Sequence, residues 1–198
     1  MNRTHFVAGL LAVLLASAVP AQAPQSVNIR GTVMGFDGRT IRVDARGAGP
    51  LEVELPDAVN VSGTKAFSLA DVKPGIVLGV TTVKRADGQT VAIDVRPIPA
   101  TAPLGLTPFD LAAGATMTNA TLEGQAVSAS GSELVLNYKS GTAKVLVPPD
   151  TPMSQSTPGS RADIKPGETI FIVARIGQGD KLTAARVQVS TNGVKPTQ

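Results

Sequence analysis

Six residues occur twice in this chain. Ala70-Asp71-Val72-Lys73-Pro74-Gly75 returns as Ala162-Asp163-Ile164-Lys165-Pro166-Gly167, and an apolar run follows each copy. A chain that repeats itself in this way must build two equivalent units, and no other feature narrows its fold as far. Downstream, Thr90-Val91-Ala92-Ile93-Asp94-Val95 aligns with Leu182-Thr183-Ala184-Ala185-Arg186-Val187 in the same register. Upstream, Gly31-Thr32-Val33 aligns with Gly124-Gln125-Ala126, and Pro56-Asp57 with Pro149-Asp150, after a one-residue slip that a loop absorbs. Lys-Pro-Gly has a geometric use. Proline presets φ at the second position of a turn, and glycine takes the positive φ that a type II turn needs next. Each copy is therefore a scaffold turn that launches a strand.

Alternating apolar and polar residues place five strands in each repeat. In the first they are Val27 to Phe36, Arg39 to Arg46, Leu51 to Leu55, Ile76 to Lys84 and Gln89 to Arg96. Ile41, Val43 and Ala45 share one face of the second strand, and Arg42, Asp44 and Arg46 share the other. Asp37-Gly38 and Asp87-Gly88 are hairpin signals. Ser68-Leu69-Ala70-Asp71 has the spacing of a capping box and predicts a short helical turn. In the second repeat the strands are Thr121 to Ser128, Glu133 to Lys139, Thr142 to Val147, Thr169 to Ile176 and Leu182 to Ser190. Between the repeats, Pro97, Pro99, Pro103 and Pro108 break regular structure, so 98–116 reads as a Pro/Ala/Gly-rich linker, with Leu106, Phe109 and Leu111 as its anchor points. Residues 191–198 read as a frayed tail.

Three strands, a short helical turn and two more strands is the order of the five-stranded Greek-key barrel of the OB type. The expected fold is all-β: two tandem five-stranded OB-like barrels, at 24–97 and 117–190. Both halves resemble a small secreted bacterial OB-like domain of unknown function. The residues that carry the resemblance are Gly31 and Val33, Leu69-Ala70-Asp71-Val72 with Gly75, and Ala92 with Val95. In the second half they are Gly124, Ala162-Asp163-Ile164 with Gly167, and Ala184 with Val187, with Arg161 standing where the first copy has leucine. These are scaffold glycines and apolar positions, so the resemblance implies a fold and no activity. Some similar proteins carry metal-transporter labels, which keeps a role accessory to a metal transporter as an alternative.

The first 21 residues read as a signal peptide. Arg3 precedes an apolar run from Phe6 to Val19, and Val19-Pro20-Ala21 offers small residues at the cleavage spacing. The run is short for a bilayer span, no twin arginine precedes it, and no cysteine follows it to carry a lipid. No second long apolar run exists, so no membrane span is expected in the mature chain, whose place is periplasmic or secreted. Export also explains what the composition must do without. With Cys 0, no disulfide supports the fold in an oxidising compartment, and packing has to supply its stability.

Export decides the chemistry as well. The chain's single histidine, His5, leaves with the leader, so the mature protein has neither imidazole nor thiol. Ser-His-Asp and Cys-His catalysis, the common zinc sites and haem ligation all require one or the other. No catalytic residue and no cofactor is therefore expected, and the protein reads as no enzyme. Glu52 and Glu54 share a strand face and are weak candidates for a hard divalent cation, although Arg42 and Arg46 on the neighbouring strand offer them ion pairs instead. Met34, Met117 and Met153 are too scattered to suggest copper. The formal charge of +3 becomes +2 without Arg3, too little to suggest a polyanion. Nucleic-acid and oligosaccharide sites favour aromatic platforms, and Trp 0 with Tyr 1 supplies none, so no nucleic-acid partner is expected. Tyr138 itself falls on the inward face with Leu134 and Leu136.

An exported interaction or accessory module remains, with an unknown envelope protein as partner. Its alternative is an OB ligand module for an envelope oligosaccharide or a weakly bound divalent cation. The candidate interaction surface is apolar. Val77 and Val83 lie on the outer face of one fourth strand, and Phe171 and Val173 on the outer face of the other. A small barrel buries only its inside, so these rows need cover, first from the other repeat and second from a partner. The sequence does not fix the oligomeric state. One outcome follows directly: mass spectrometry of the exported protein should find an N-terminus near Gln22, and an intact leader on the exported protein would contradict this.

Overall fold

A computed structural model describes residues 25–128 and 131–197. The leader expected at 1–21 lies outside the described residues. The described chain forms strands β1 (Ser26–Phe36), β2 (Thr40–Ala45), β3 (Gly49–Glu54), β4 (Val61–Ala66), β5 (Val77–Lys84), β6 (Thr90–Pro97), β7 (Gly105–Pro108), β8 (Thr116–Ser128), β9 (Gly131–Tyr138), β10 (Gly141–Val147), β11 (Ser154–Pro158), β12 (Thr169–Ile176) and β13 (Leu182–Val189). Short 3-10 turns lie at Leu69–Asp71, Arg161–Asp163 and Gln178–Asp180. All ten expected barrel strands are present within a few residues of their expected ends, and they close two five-stranded barrels.

The barrels do not follow the division into 24–97 and 117–190. The first runs β1-β2-β3-β13-β12 and returns to β1, and the second runs β8-β9-β10-β6-β5 and returns to β8. Each is closed by one parallel contact, β3 with β13 and β10 with β6. Each therefore takes its first three strands from one half of the sequence and its last two from the other. The fourth and fifth strands have been exchanged. The second barrel is continuous in sequence, from β5 to β10, while the first is split around it.

The duplicated turn is the docking point of this exchange. Gly75 and Gly167 adopt φ of 94° and 91°, and Ile76 N–H donates to Lys73 C=O as Glu168 N–H does to Lys165 C=O. These are the type II turns expected. The two glycine N–H groups then reach across the halves: Gly75 donates to Leu122 C=O at 2.8 Å and Gly167 to Val33 C=O at 2.9 Å. Val33 and Leu122 are thus structural equivalents, and each is followed by a β-bulge. This corrects the sequence alignment of Gly31 with Gly124. The counterpart of Gly124 is Gly35, the first paired residue after the first bulge. The hairpins differ in length: Val33 pairs with Val43, whereas Leu122 pairs with Leu136, four residues farther along. Gly31 has its own reason to be glycine, since a Cβ there would lie 2.2 Å from Asp44 C=O.

Two connections cross between the barrels, from β3 to β5 and from β10 to β12. Alternation in them is broken and polar, and the sequence pattern places no strand there. They nevertheless form β4 and β11, which pair with each other in antiparallel register from Ser154↔Ala66 to Pro158↔Ser62. This ribbon needs connections that run in opposite directions past one another, which exchange provides. β4 is held to the first barrel by Val187↔Val61 and Gln188↔Ser62, and by Ser62 Oγ donating to Val187 C=O.

Inward-facing residues of both halves meet in each core. Ile29, Val33, Ile41, Val43 and Val53 pack with Ile170, Ile172, Val187 and Val189 in the first barrel, and Ile164 seals it. Leu122, Leu134, Leu136 and Val145 pack with Leu78, Val80, Ala92 and Val95 in the second, with Leu69 as its seal and Tyr138 against its edge. The linker and tail are more ordered than expected. β7 pairs with the start of β8, and Phe109 N–H donates to Ala115 C=O. The tail turns at Asn192-Gly193, both at positive φ, and Thr197 bonds Ser154.

A buried methyl-rich side chain lent by one half to the other should matter to the barrel that borrows it. Ile172→Ala should cost about 2–5 kcal/mol in denaturant unfolding. Amide shifts should concentrate at Ile29, Val33 and Ile41 and spare Leu134 and Leu136; the reverse distribution would contradict the exchange.

Candidate functional site

Where the barrels meet, the outer faces of β1, β12 and β13 oppose those of β6 and β8. Phe171 on β12 is 2% exposed. The Arg30 guanidinium lies 5.2 Å from its ring centre and the Arg186 guanidinium 5.3 Å, and Arg30 also covers Phe109 of the linker at 5.4 Å. Stacking of this kind suits arginine, whose planar, weakly hydrated cation tolerates partial burial. Arg30 is held from the far side by Asp110, which accepts from Nη1 at 3.1 Å and Nη2 at 2.8 Å and from Asn28 Nδ2 at 3.0 Å. The linker is thereby clamped onto β1 through Phe109, one of its three expected anchors, and through Asp110, while Leu106, another of the three, is exposed.

From the second barrel, β6 contributes Asp94 and Arg96, whose side chains are 1% and 12% exposed. They bond each other, and Asp94 Oδ2 also accepts from Thr81 Oγ1 at 3.0 Å. Burial pushes the Asp94 carboxyl up, against the opposing pull of Arg96 and the hydrogen bonds of Thr197 and Thr81. Burial lowers the Arg96 guanidinium, against the pull of Asp94, and lowers Arg186, with the Arg96 charge adding to it. Asp94 Oδ1 and Arg30 Nε are buried without a hydrogen-bond partner. A small cleft of about 320 Å³ remains between the barrels, walled by Phe109, Phe171, Met117, Arg96 and Arg186 among others. These polar groups bond on their own side of the joint: Thr81, Asp94 and Arg96 within the second barrel, and Asn28 and Arg30 of the first with Asp110 of the linker.

The second feature is an open groove of about 490 Å³ on the first barrel. It is bounded by Arg39 and Thr40 after the β1–β2 turn, by Glu52 and Glu54 on β3, and by Gly179 to Leu182 before and at the start of β13. This is where small barrels of this topology hold ligands, across strands two and three and between the two flanking loops. Asp37 Oδ1 fixes the first loop by accepting from Arg39 N–H at 2.8 Å and Thr40 N–H at 2.6 Å, and these bonds keep its carboxyl below the usual range. Glu54 accepts from Lys181 Nζ at 2.6 Å and Arg39 Nη2 at 2.9 Å, and both partners lower its pKa. The groove is thus assembled from the two halves, with Glu54 joining them over the β3–β13 closure.

The sequence-derived residues separate accordingly. Glu52 and Glu54 line the groove together, but Glu54 is already engaged by two cations, and the described residues contain no group of three or more acidic or imidazole ligands. Phe171 and Val173 lie at the joint between the barrels. Val77 is 8% exposed, and Val83 lines a different recess with Arg85 and Val91. The four valine and phenylalanine positions therefore form no common surface, and Phe171 and Val77 are too buried to offer one to a partner. Asp94 and Arg96 read in sequence as an ordinary solvent-facing alternation on an outer strand face. Their only signal was an acid and a base two residues apart beside an apolar outer row.

Comparison with family models, with curated proteins and with solved structures finds no match to this chain.

Breaking a buried pair leaves one charge uncompensated, so Asp94→Ala should cost about 3–5 kcal/mol, and adding Arg96→Met should recover most of that. Equal losses in the single and double variants would deny the coupling. Asp110 gives a pH test. Its carboxyl is lowered chiefly by the Arg30 hydrogen bond, so its stabilising effect is present above the ordinary carboxylate range and lost as pH falls below it. Acid should loosen the linker, read as a lower protection factor at Phe109 N–H against the intrinsic exchange rate at each pH, and Asp110→Asn should remove the pH dependence of that protection.

Proposed function

We propose that the chain is an exported, non-enzymatic binding module of the cell envelope that engages a partner protein through the groove on the first barrel. The observation that carries this is the contrast between the two polar regions. The charges between the barrels are buried, whereas the groove is open, sits at the ligand position of the topology and presents mixed, solvent-exposed charge on its rim. Mixed charge without an aromatic ring suits a charged protein segment better than a base or a sugar ring. The absence of histidine and cysteine from residues 25–197 supports a non-catalytic role, as does the lack of a nameable nucleophile–base pair. The leader supports export, and the likeness to a secreted bacterial OB-like domain fits both. The alternative, an oligosaccharide or a divalent cation at Glu52 and Glu54, would have to displace Lys181 or Arg39 from Glu54.

The test has two arms. A photo-crosslinking residue at Glu52 in exported protein should give one discrete adduct, and the same residue at Lys144 on the second barrel should not. Thermal melts with envelope glycans, Ca²⁺ or Mg²⁺ should stay flat, because a ligand at a hundredfold excess over its Kd would add about 2.7 kcal/mol. Stabilisation by a glycan or a cation that Glu52→Gln removes, with no adduct at Glu52, would overturn the proposal in favour of the alternative.

A further inference from the structure

We propose that the strand exchange seen within one chain also operates between two copies, and that the β4–β11 ribbon is the latch that keeps it intramolecular. The contacts that close the first barrel come from β12 and β13: the register from Ser26↔Arg175 to Thr32↔Thr169 with β1, the parallel step Leu182↔Val53 with β3, and the turn bond from Gly167 to Val33. Every one of these is made to a strand pair that is distant in sequence. β12 and β13 of a second copy would satisfy each without change, and the first copy's pair would close the second copy's barrel in return. The covalent tie of the pair to its own chain is the crossing connection, beside which stand the pairing of β13 with β4 and the joint that sets Phe171 and Arg186 beside Arg96 and Met117. The ribbon of that connection is short, polar and partly exposed, with Ser62, Gly63, Thr64 and Lys65 facing Gln155, Ser156, Thr157 and Pro158.

Two further features favour this. The sequence duplication gives each half a first-strand bulge and a Lys-Pro-Gly turn of the same design, so the docking geometry is made for a partner half rather than for a particular connection. The groove on the first barrel is built from both contributions as well. In an exchanged pair, Lys181 of one copy would reach Glu54 of the other, and each groove would hold residues of two chains. Exchange of identical elements is a low-cost route to dimers, with linkage favouring the monomer up to about millimolar chain concentration.

Because the sequence has no cysteine, the test is direct. One copy carries Thr32→Cys, and an isotope-labelled copy carries Thr169→Cys; the two are unfolded together, refolded at micromolar or millimolar concentration, oxidised and weighed by native mass spectrometry. A disulfide-linked mixed dimer should form at millimolar concentration, rarely at micromolar, and not when folded copies are mixed. Ser156→Pro, which breaks the ribbon at an exposed position, should raise the mixed-dimer yield at least tenfold with the circular dichroism spectrum unchanged. A chain bearing both cysteines should form the bond internally, which establishes that the pair is competent. If that bond forms while the mixed dimer is absent at every concentration, with and without Ser156→Pro, exchange between copies does not occur.

Discussion

Neither barrel closes on strands from its own half of the sequence. A five-stranded barrel has no free edge only when its third and fifth strands meet, and here each such contact joins residues far apart in the chain, Leu182 with Val53 and Leu146 with Val91. Cores, turns and connections follow from that closure. Ile172 and Ile170 are buried against Ile29 and Ile41, from the opposite half. Gly75 and Gly167 bond backward onto Leu122 and Val33. The crossing connections, having to pass each other, become a ribbon. Contacts of such long sequence separation carry a loop-closure cost before they return anything, and slow folding is the expected consequence.

The joint between the barrels solves a second problem. Two small barrels set face to face leave polar strand faces buried, and a buried charge is tolerated only when partnered. Asp94 with Arg96 and Asp110 with Arg30 meet that demand, while Phe171 gives two guanidinium groups an aromatic surface to cover. A pair so desolvated adds little net stability, and apolar side chains could fill the same space. Its contribution is local, since Thr81, Asp94 and Arg96 hold one another on neighbouring strands of the second barrel. The barrels are joined instead through the β4–β11 ribbon, which pairs with β13 of the first and, just before β11, bridges Met153 to Val95 of the second.

Local features were legible in the sequence because local rules govern them. Alternation at Ile41, Val43 and Ala45 marked a buried face, and Lys-Pro-Gly marked two type II turns. The same rules are silent on which strands pair. β12 follows Lys165-Pro166-Gly167 as β5 follows Lys73-Pro74-Gly75, and equivalent sequences cannot indicate whether each docks on its own half or on the other. β4 and β11 are illegible for a related reason: beyond Val61, which joins the first core, they meet each other and β13 through polar residues such as Ser62, Thr64 and Ser156, and so carry no apolar period. At the groove, the sequence offers Glu54 cross-strand ion pairs with Arg42 and Arg46, whereas the register sets Arg42 opposite Glu52 and Thr40 opposite Glu54. Glu54 instead pairs with Arg39 at the threshold of β2 and with Lys181, which only the exchanged closure brings near.

The exchanged closure is most directly tested by interstrand contacts in monomeric protein at low concentration. Side-chain and backbone nuclear Overhauser effects should connect Ile29 with Ile172 and Val33 with the Gly167–Glu168 turn, and should connect Leu122 with Gly75 and Ile76. Contacts from β1 to Leu78 or Val80 of β5, with none to β12, would show each half closing on itself and would contradict the account.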